Sequence, residues 1–179
     1  HPANLIRIWE GGMSFHGGFL GSILAAWMYC RKKQKNFLMV ADILSVPGIL
    51  ALALGRIANF INGELVGKVW GGKWCVVFPD YGFECRHPNM IYSALQRFII
   101  FGWLLGLSFW KQLKPGFIFW NMVFFEGVGR FLVDFFREDF LYLGLSKGQW
   151  LSLSMIAVSL IVLIKKYNGS FSLTVLTKL

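Results

Sequence analysis

Residues 37–61 read FLMVADILSVPGILALALGRIANFI, and this stretch decides the fold class. A helix that crosses a bilayer needs about 20 mostly apolar residues, and this run is long enough. Asp42 and Pro47-Gly48 interrupt it near its start and middle. We interpret them as a capping carboxylate and a proline kink within one transmembrane helix.

Apolar runs on both sides of this helix predict further membrane spans. They cover about Phe15 to Cys30, Met90 to Trp110, Phe117 to Phe136 and Trp150 to Ile164. We therefore predict an all-α, polytopic membrane protein with about five transmembrane helices, forming a single membrane domain over residues 1–179.

The overall composition agrees with a lipid environment. Of the 179 residues 56% are hydrophobic and only 15% are charged, and the mean hydropathy is +0.56. Soluble domains average about 25% charged residues. This composition excludes intrinsic disorder, a coiled coil and a soluble disulfide scaffold.

Basic residues outnumber acidic residues by 18 to 9, which gives a net charge of +9. They do not form a groove-like stripe, so the charge does not indicate a nucleic-acid partner. Instead they cluster between apolar runs, at Arg31–Lys35, Lys111–Lys114 and Lys165–Lys166. Five spans place these clusters on one face, which the positive-inside rule makes cytoplasmic. The opposite face then carries the N-terminal stretch and the loops from about Asn62 to Pro88 and Arg137 to Gly148.

The cysteines and histidines do not predict a metal site. Cys30, Cys75 and Cys85 lack CxxC spacing, and the three histidines are far apart. Cys75 and Cys85 could pair if their loop faces an oxidising compartment. The chain begins at His1 without a methionine or a basic leader, so we expect a piece of a longer protein whose N-terminal part is missing.

Polar side chains in or beside the spans gather at one predicted depth, near the outer leaflet. They come from four segments: His16; Arg56, Asn59 and Glu64; Arg86 and His87; Arg130 and Asp134. A central Arg or Asp costs about 2.5–3.5 kcal/mol on insertion scales, so such residues usually face protein or water and mark function. Independent placement would scatter them over both leaflets, and their convergence predicts a site.

Glu126, Arg130 and Asp134 recur at intervals of four residues and share one helical face. One interpretation is that the two carboxylates flank the guanidinium and hold it in a fixed orientation. The alternative is a structural ion-pair stripe that joins this helix to its neighbours.

The segment His16-Gly17-Gly18 opens the first predicted helix. Paired glycines expose amide N–H groups at a helix N-terminus, where the dipole favours an anion such as phosphate. Histidine is the side chain best suited to proton transfer near neutral pH, although a lone His at a membrane boundary is more often a cap. Arg56 and Arg130 bind phosphate oxygens well. The headgroup phosphate of a lipid lies at the right depth for such a site.

Residues 55–67, GRIANFINGELVG, resemble the signature of the bacterial prolipoprotein diacylglyceryl transferase family. The stretch WEGGMSFHGG at residues 9–18 is similar to a second family motif, and further matches extend the resemblance from about Ile8 to Ile164. The resemblance implies a multi-pass enzyme of the bacterial cell membrane with its active site toward the outer leaflet. Such an enzyme moves a diacylglyceryl group from phosphatidylglycerol to the lipobox cysteine of a preprolipoprotein and forms a thioether. No cofactor is implied.

Residue roles follow from the resemblance and from the chemistry of a thiol that must become a thiolate. His16 is the expected base, with Glu64 or Asp134 as alternatives, and Arg56 and Arg130 would stabilise the departing phosphate. The expected catalytic residues are His16, Arg56, Arg130 and Glu64. The expected substrate-binding residues are Gly17, Gly18, Asn59, Asn62, Gly67, Asp134 and Glu126.

The chain departs from the family pattern at three positions. Ser93 stands where a carboxylate is common, Asp134 replaces a more frequent Glu, and Glu126 stands where the family often has Tyr. Two other functions remain as alternatives. One is a different lipid-phosphate transferase or a phosphatase that uses the same cluster. The other is a transporter or channel subunit, whose charges would line a path through the bilayer centre.

Overall fold

The computed structural model describes residues 15–110 and 113–167, and it describes the side chains from Gly21 onward within those ranges. The chain divides into two compact units, residues 1–40 and 41–179.

Five α-helices make up most of the described residues. They are α1 (Phe15–Lys32), α2 (Phe37–Ile61), α3 (Asn89–Ser108), α4 (Phe117–Val133) and α5 (Lys147–Tyr167). In the described ranges α2, α3 and α5 are long and apolar enough to cross a membrane. The predicted all-α membrane fold is confirmed, and each helix overlaps a predicted span.

The last predicted span begins too late, because α5 begins at Lys147 and not at Trp150. Ser146 accounts for this start. Its Oγ accepts a hydrogen bond from the Gln149 amide (3.0 Å), and Gln149 Oε1 accepts one from the Ser146 amide (2.9 Å). This reciprocal pair is a capping box, which satisfies two amide groups that the first helical turn leaves free.

In the N-terminal unit, α1 ends in the basic cluster that was predicted there. The Arg31 guanidinium lies 5.0 Å from the ring centre of Trp27, and the Lys35 amide donates to the Cys30 carbonyl (2.9 Å). Asn36 begins the next helix, because its Oδ1 accepts a hydrogen bond from the Leu38 amide (2.9 Å).

Within residues 41–167, α4 packs closely against α5 at Gly127. A Cβ there would lie 3.0 Å from Ile156 and 3.2 Å from the Ser152 carbonyl, so only glycine allows this approach without displacement. The apolar core nearby contains Ile49 of α2 and Leu104 of α3, both fully buried.

Asp42 is a cap, but not of the helix that contains it. Its carboxylate accepts hydrogen bonds from the amides of Gly116 (2.6 Å) and Phe119 (2.8 Å), at the N-terminus of α4. Near the same place, the Tyr167 hydroxyl donates to the Pro115 carbonyl (2.7 Å). The start of α2, the start of α4 and the end of α5 therefore meet at one end of this unit. This bonding gives Asp42 a structural role as a helix cap.

Two short hairpins lie at the opposite end. Strands β1 (Val76–Val77) and β2 (Cys85–Arg86) pair antiparallel, as do β3 (Leu141–Tyr142) and β4 (Leu145–Ser146). A disulfide joins Cys75 to Cys85, so the pairing that the sequence left open is present.

The loops that carry the hairpins contact each other. The Lys68 amide donates to the Phe136 carbonyl (2.9 Å), and Gly67 forms a β-bridge with Arg137. The loop after α2 and the loop after α4 therefore share one end of the unit formed by residues 41–179, as the predicted topology requires.

Candidate functional site

A small polar cavity lies where α2, α3 and α4 approach the hairpin end. We call it the arginine cavity. It is lined by Arg56, Asn89, Ser93, Arg97, Arg130, Val133, Asp134 and Arg137. Three residues that the sequence predicted for the site, Arg56, Arg130 and Asp134, are thus brought together from two helices and the turn that follows α4.

Arg56 and Arg130 are half-buried, and among the described residues neither lies within 4.0 Å of a carboxylate oxygen. Arg130 Nε is buried and has no hydrogen-bond partner within residues 15–110 and 113–167. The positive charges of Arg97, Arg130 and Arg137 all act on Arg56, and the negative charge of Glu126 opposes them in part. Buried like charges repel strongly, so a cavity with this lining favours an anionic ligand.

The predicted brace of Arg130 by two carboxylates is not formed. The Glu126 carboxylate instead pairs with Arg97 of α3 and accepts a hydrogen bond from Gln96 Nε2 (3.2 Å). For Glu126 the alternative interpretation is therefore confirmed, since the residue joins α4 to its neighbour. The i, i+4 spacing does not decide the partner, because a long side chain on that face also reaches across to α3.

Asp134 also has partners other than Arg130. It is buried, accepts a hydrogen bond from Ser146 Oγ (3.2 Å), and lies 3.9 Å from Arg137 Nη1. Gly148 provides the space for this carboxylate, because a Cβ at that position would overlap Asp134 Oδ2 and lie 3.5 Å from Arg130 Nη2. The start of α5 thus fixes one wall of the cavity.

Arg97 was missing from the sequence-based site. It is 3% exposed, and its Nη1 donates to the Ser93 carbonyl (3.2 Å) and to Ser93 Oγ. Its Nη2 pairs with Glu126, whereas its Nε is buried and has no partner in the part of the chain that the structure describes. The signal that could have found it is an arginine in the middle of an otherwise apolar span, which lipid penalises unless the side chain faces protein or water.

The signature segment after Arg56 forms a turn beyond the end of α2. Asn59 Nδ2 donates to Glu64 Oε2 (2.7 Å), the Glu64 amide donates to the Asn59 carbonyl (2.8 Å), and Gly63 has φ +69°. Asn62 and Glu64 are exposed. None of these residues lines the arginine cavity, so its geometry does not support Glu64 as the base.

Gly67 is packed tightly between the backbones of two neighbouring loop segments. A Cβ there would lie 2.6 Å from the His87 carbonyl oxygen and 2.8 Å from the Phe136 carbonyl oxygen. These contacts are too close for any side chain, so Gly67 lets the loops after α2 and α4 meet.

His87 forms the centre of an aromatic cluster in the same loops. Its ring stacks on Trp70 (4.3 Å between ring centres), and its Nδ1 lies 3.1 Å from Tyr92 Oη. Tyr92 Oη also accepts a hydrogen bond from Trp74 Nε1 (3.0 Å), and Phe136 packs edge-on against the His87 ring. Burial, and to a smaller extent the charge of Lys68, lower the pKa of His87 below its usual value. The contacts of this histidine hold the loops together.

His16, Gly17 and Gly18 lie in the first turn of α1, where the sequence placed them. The side chain of His16 lies outside the described part of the chain, and all three residues belong to the N-terminal unit. The role of His16 stays a prediction.

Comparison with known proteins is consistent with these features. The family model described as "Prolipoprotein diacylglyceryl transferase" matches residues 1–165. The chain is 43% identical over 173 residues to a phosphatidylglycerol–prolipoprotein diacylglyceryl transferase of Idiomarina loihiensis, covering 92% of this chain and 64% of that protein. It is 44% identical over 167 residues to the protein of the same name from Geobacter sulfurreducens, covering 89% and 64%. For the Mannheimia succiniciproducens protein of that name the identity is 39%, covering 91% and 61%. The chain thus spans less than two thirds of the length of these relatives.

Proposed function

Because the chain belongs to the prolipoprotein diacylglyceryl transferase family, we propose that the full-length protein transfers a diacylglyceryl group from phosphatidylglycerol to preprolipoproteins. The acceptor is the thiol of the lipobox cysteine, and the product is a thioether. One observation carries this proposal beyond family membership. Arg56 and Arg130, from two helices, line one cavity and lack a carboxylate partner among the described residues.

The proposed chemistry uses those two charges. A thiolate attacks the glycerol carbon, the carbon–oxygen bond to phosphate breaks, and the glycerol phosphate that leaves gains negative charge. Guanidinium groups that are already positioned around the phosphate stabilise that developing charge without reorganisation. The same groups bind the single charge of the lipid phosphodiester more weakly, so the stabilisation favours the transition state.

The thiol has an unperturbed pKa near 8.5 and needs a base. We assign that role to His16. Asp134 is the alternative that the cavity itself offers, although the Ser146 hydroxyl already donates to it. Additional substrate contacts are proposed for the residues that the family motifs mark in the flanking segments: Gly17, Gly18, Asn59, Asn62 and Gly67.

We also propose that the arginine cavity faces the outer leaflet of the bacterial plasma membrane. The basic residues Lys114, Lys165 and Lys166 lie at the other end of the unit, which supports a cytoplasmic location for that end. The disulfide Cys75–Cys85 lies at the hairpin end, and disulfides persist in oxidising compartments outside the cytoplasm.

The test is complementation of a bacterium depleted of its own transferase by the full-length protein. Wild type and Lys165→Gln, an exposed charge far from the cavity, should restore growth and lipoprotein maturation. Arg56→Ala and Arg130→Ala should lose maturation by at least about 100-fold, as expected when a preorganised donor to a developing charge is removed.

Immunoblotting of all variants establishes that they reach the membrane in equal amounts. Equal rescue by both alanine variants would remove the support for the site, and failure of the wild type would contradict the function. Release of phosphate from the lipid without a thiol acceptor would indicate a phosphatase.

A further inference from the structure

Arg97 has no role in the proposed reaction so far, yet it lines the same cavity as Arg56 and Arg130. It is buried in a helix long and apolar enough to span the membrane, where an arginine is costly unless something nearby uses its charge. Its position allows two roles: neutralising Glu126 alone, or also contacting an anionic ligand in the cavity.

In the ion pair of Arg97 and Glu126, only the positive partner lines the arginine cavity. Arg97 lines the arginine cavity, whereas Glu126 does not and lies behind it, held by Gln96 of α3. The positive end of the ion pair therefore faces the cavity. A carboxylate placed behind the guanidinium reduces the cost of burying it and fixes its plane.

The hydrogen bonds of Arg97 also indicate that it can contact a ligand. Its Nη groups donate to Ser93 and Glu126, but its Nε–H is buried and finds no acceptor among the described residues. A buried donor without an acceptor is expensive, and a phosphate oxygen in the cavity would satisfy it.

We propose that Arg97 is a third anion-binding residue of the arginine cavity, oriented from behind by Glu126, and that it contacts the headgroup phosphate of the lipid. This inference rests on the proposed function for the identity of the lipid. Arg97 is then a binding residue, and Glu126 is a positioning residue that acts through it.

Direct binding tests this without requiring catalysis. The purified full-length protein is titrated with dihexanoyl phosphatidylglycerol by calorimetry in detergent. Arg97→Gln alone leaves the partly buried Glu126 carboxylate without its ion-pair partner. The informative variant is therefore the double change Arg97→Gln, Glu126→Gln, which replaces the ion pair by two amides. We expect it to bind the lipid about 10-fold more weakly or worse, the loss typical of one charged hydrogen bond. Lys165→Gln should bind like the wild type.

Glu126→Gln alone provides a second measurement. It keeps an oxygen for Arg97 Nη2 but removes the negative charge behind the guanidinium, so the lipid should bind several-fold more tightly, by a factor that shrinks at high salt. Wild-type affinity in both the double and the single variant would overturn the proposal. If thermal melting shows that the double variant does not fold, the single variant decides alone, and unchanged affinity overturns the proposal.

The proposed function is tested separately with the same wild-type protein, by thioether formation on a lipobox peptide. Lipid binding that depends on Arg97 without thioether formation would contradict the function and support this inference. If the wild type forms the thioether but neither the double variant nor Glu126→Gln changes lipid binding, the proposed function is supported and the role of Arg97 is contradicted. A wild type that does not bind the lipid would overturn both.

Discussion

At the scale of single residues, Gly67 shows how a glycine of the signature segment allows two stretches of backbone to pack together. It is buried between two backbone carbonyls, those of His87 and Phe136. Backbone atoms cannot rotate away from an added methyl group as a side chain can, so a substitution must separate the loops.

We expect Gly67→Ala to lower the free energy of unfolding by about 1–3 kcal/mol, the usual cost of overpacking. Thermal denaturation in detergent measures this. Gly71→Ala is the matched control, because it lies in the same loop and a Cβ there meets nothing within 4 Å. Equal effects of the two substitutions would refute the packing explanation.

His87 predicts a dependence of stability on pH. Its pKa is lowered in the folded protein by burial and by Lys68, while in the unfolded chain it is near 6.5. The unfolded state therefore binds the proton first as the pH falls. The stabilisation is complete above about pH 6.5 and is lost as the pH falls toward the lowered value.

The measurement is the melting temperature of wild type and His87→Gln between pH 8 and pH 5. The wild type should lose more stability than the variant over the lower part of that range. Parallel curves would show that His87 does not titrate with folding.

At the scale of elements, the helices were largely predictable because a bilayer imposes one length and one composition on each span. What could not be predicted was how their faces pair. The Glu126 carboxylate was expected to flank the Arg130 guanidinium on the same helix, but it forms an ion pair with Arg97 of α3. Arg56 and Arg130 were identified because the family motifs and the predicted depth in the membrane both assigned them to the site. The position of Arg97 in the cavity depends on the packing of α3 against α4.

The start of α5 provides a prediction at this scale. Ser146 caps the helix and also donates to Asp134, so it joins helix stability to the wall of the arginine cavity. Ser146→Ala should lower the free energy of unfolding by about 0.5–2 kcal/mol. It should also reduce thioether formation, because Asp134 loses a hydrogen-bond donor.

Chemical denaturation and the transfer assay measure the two effects. Ser154→Ala is the control, since that hydroxyl is exposed and bonds only within its own helix. A Ser146→Ala protein as stable as the control would contradict the capping role.

At the scale of the whole molecule, the described part from residue 41 onward has two chemically different ends. One has the Asp42 cap, the Tyr167 contact and exposed lysines. The other has two hairpins, a disulfide and the arginine cavity. The sequence predicted this division from charge clusters alone, but the hairpins and their contacts depend on long-range pairing that no local pattern reports.

Labelling of intact spheroplasts with a membrane-impermeant maleimide tests the orientation. In a Cys30→Ala background that keeps the disulfide, Phe140→Cys should react, because residue 140 is 84% exposed at the hairpin end. Lys165→Cys should react only after permeabilisation. The reverse pattern would place the cavity at the cytoplasmic side and contradict the proposed topology.

The central claim is that Arg56 and Arg130 hold the phosphate of a lipid headgroup in one cavity. An experimental structure of the full-length protein with bound phosphatidylglycerol tests it most directly. We predict the phosphate between the two guanidinium groups, with oxygens within about 3 Å of their nitrogens. A headgroup bound elsewhere, with no phosphate in the arginine cavity, would contradict the account.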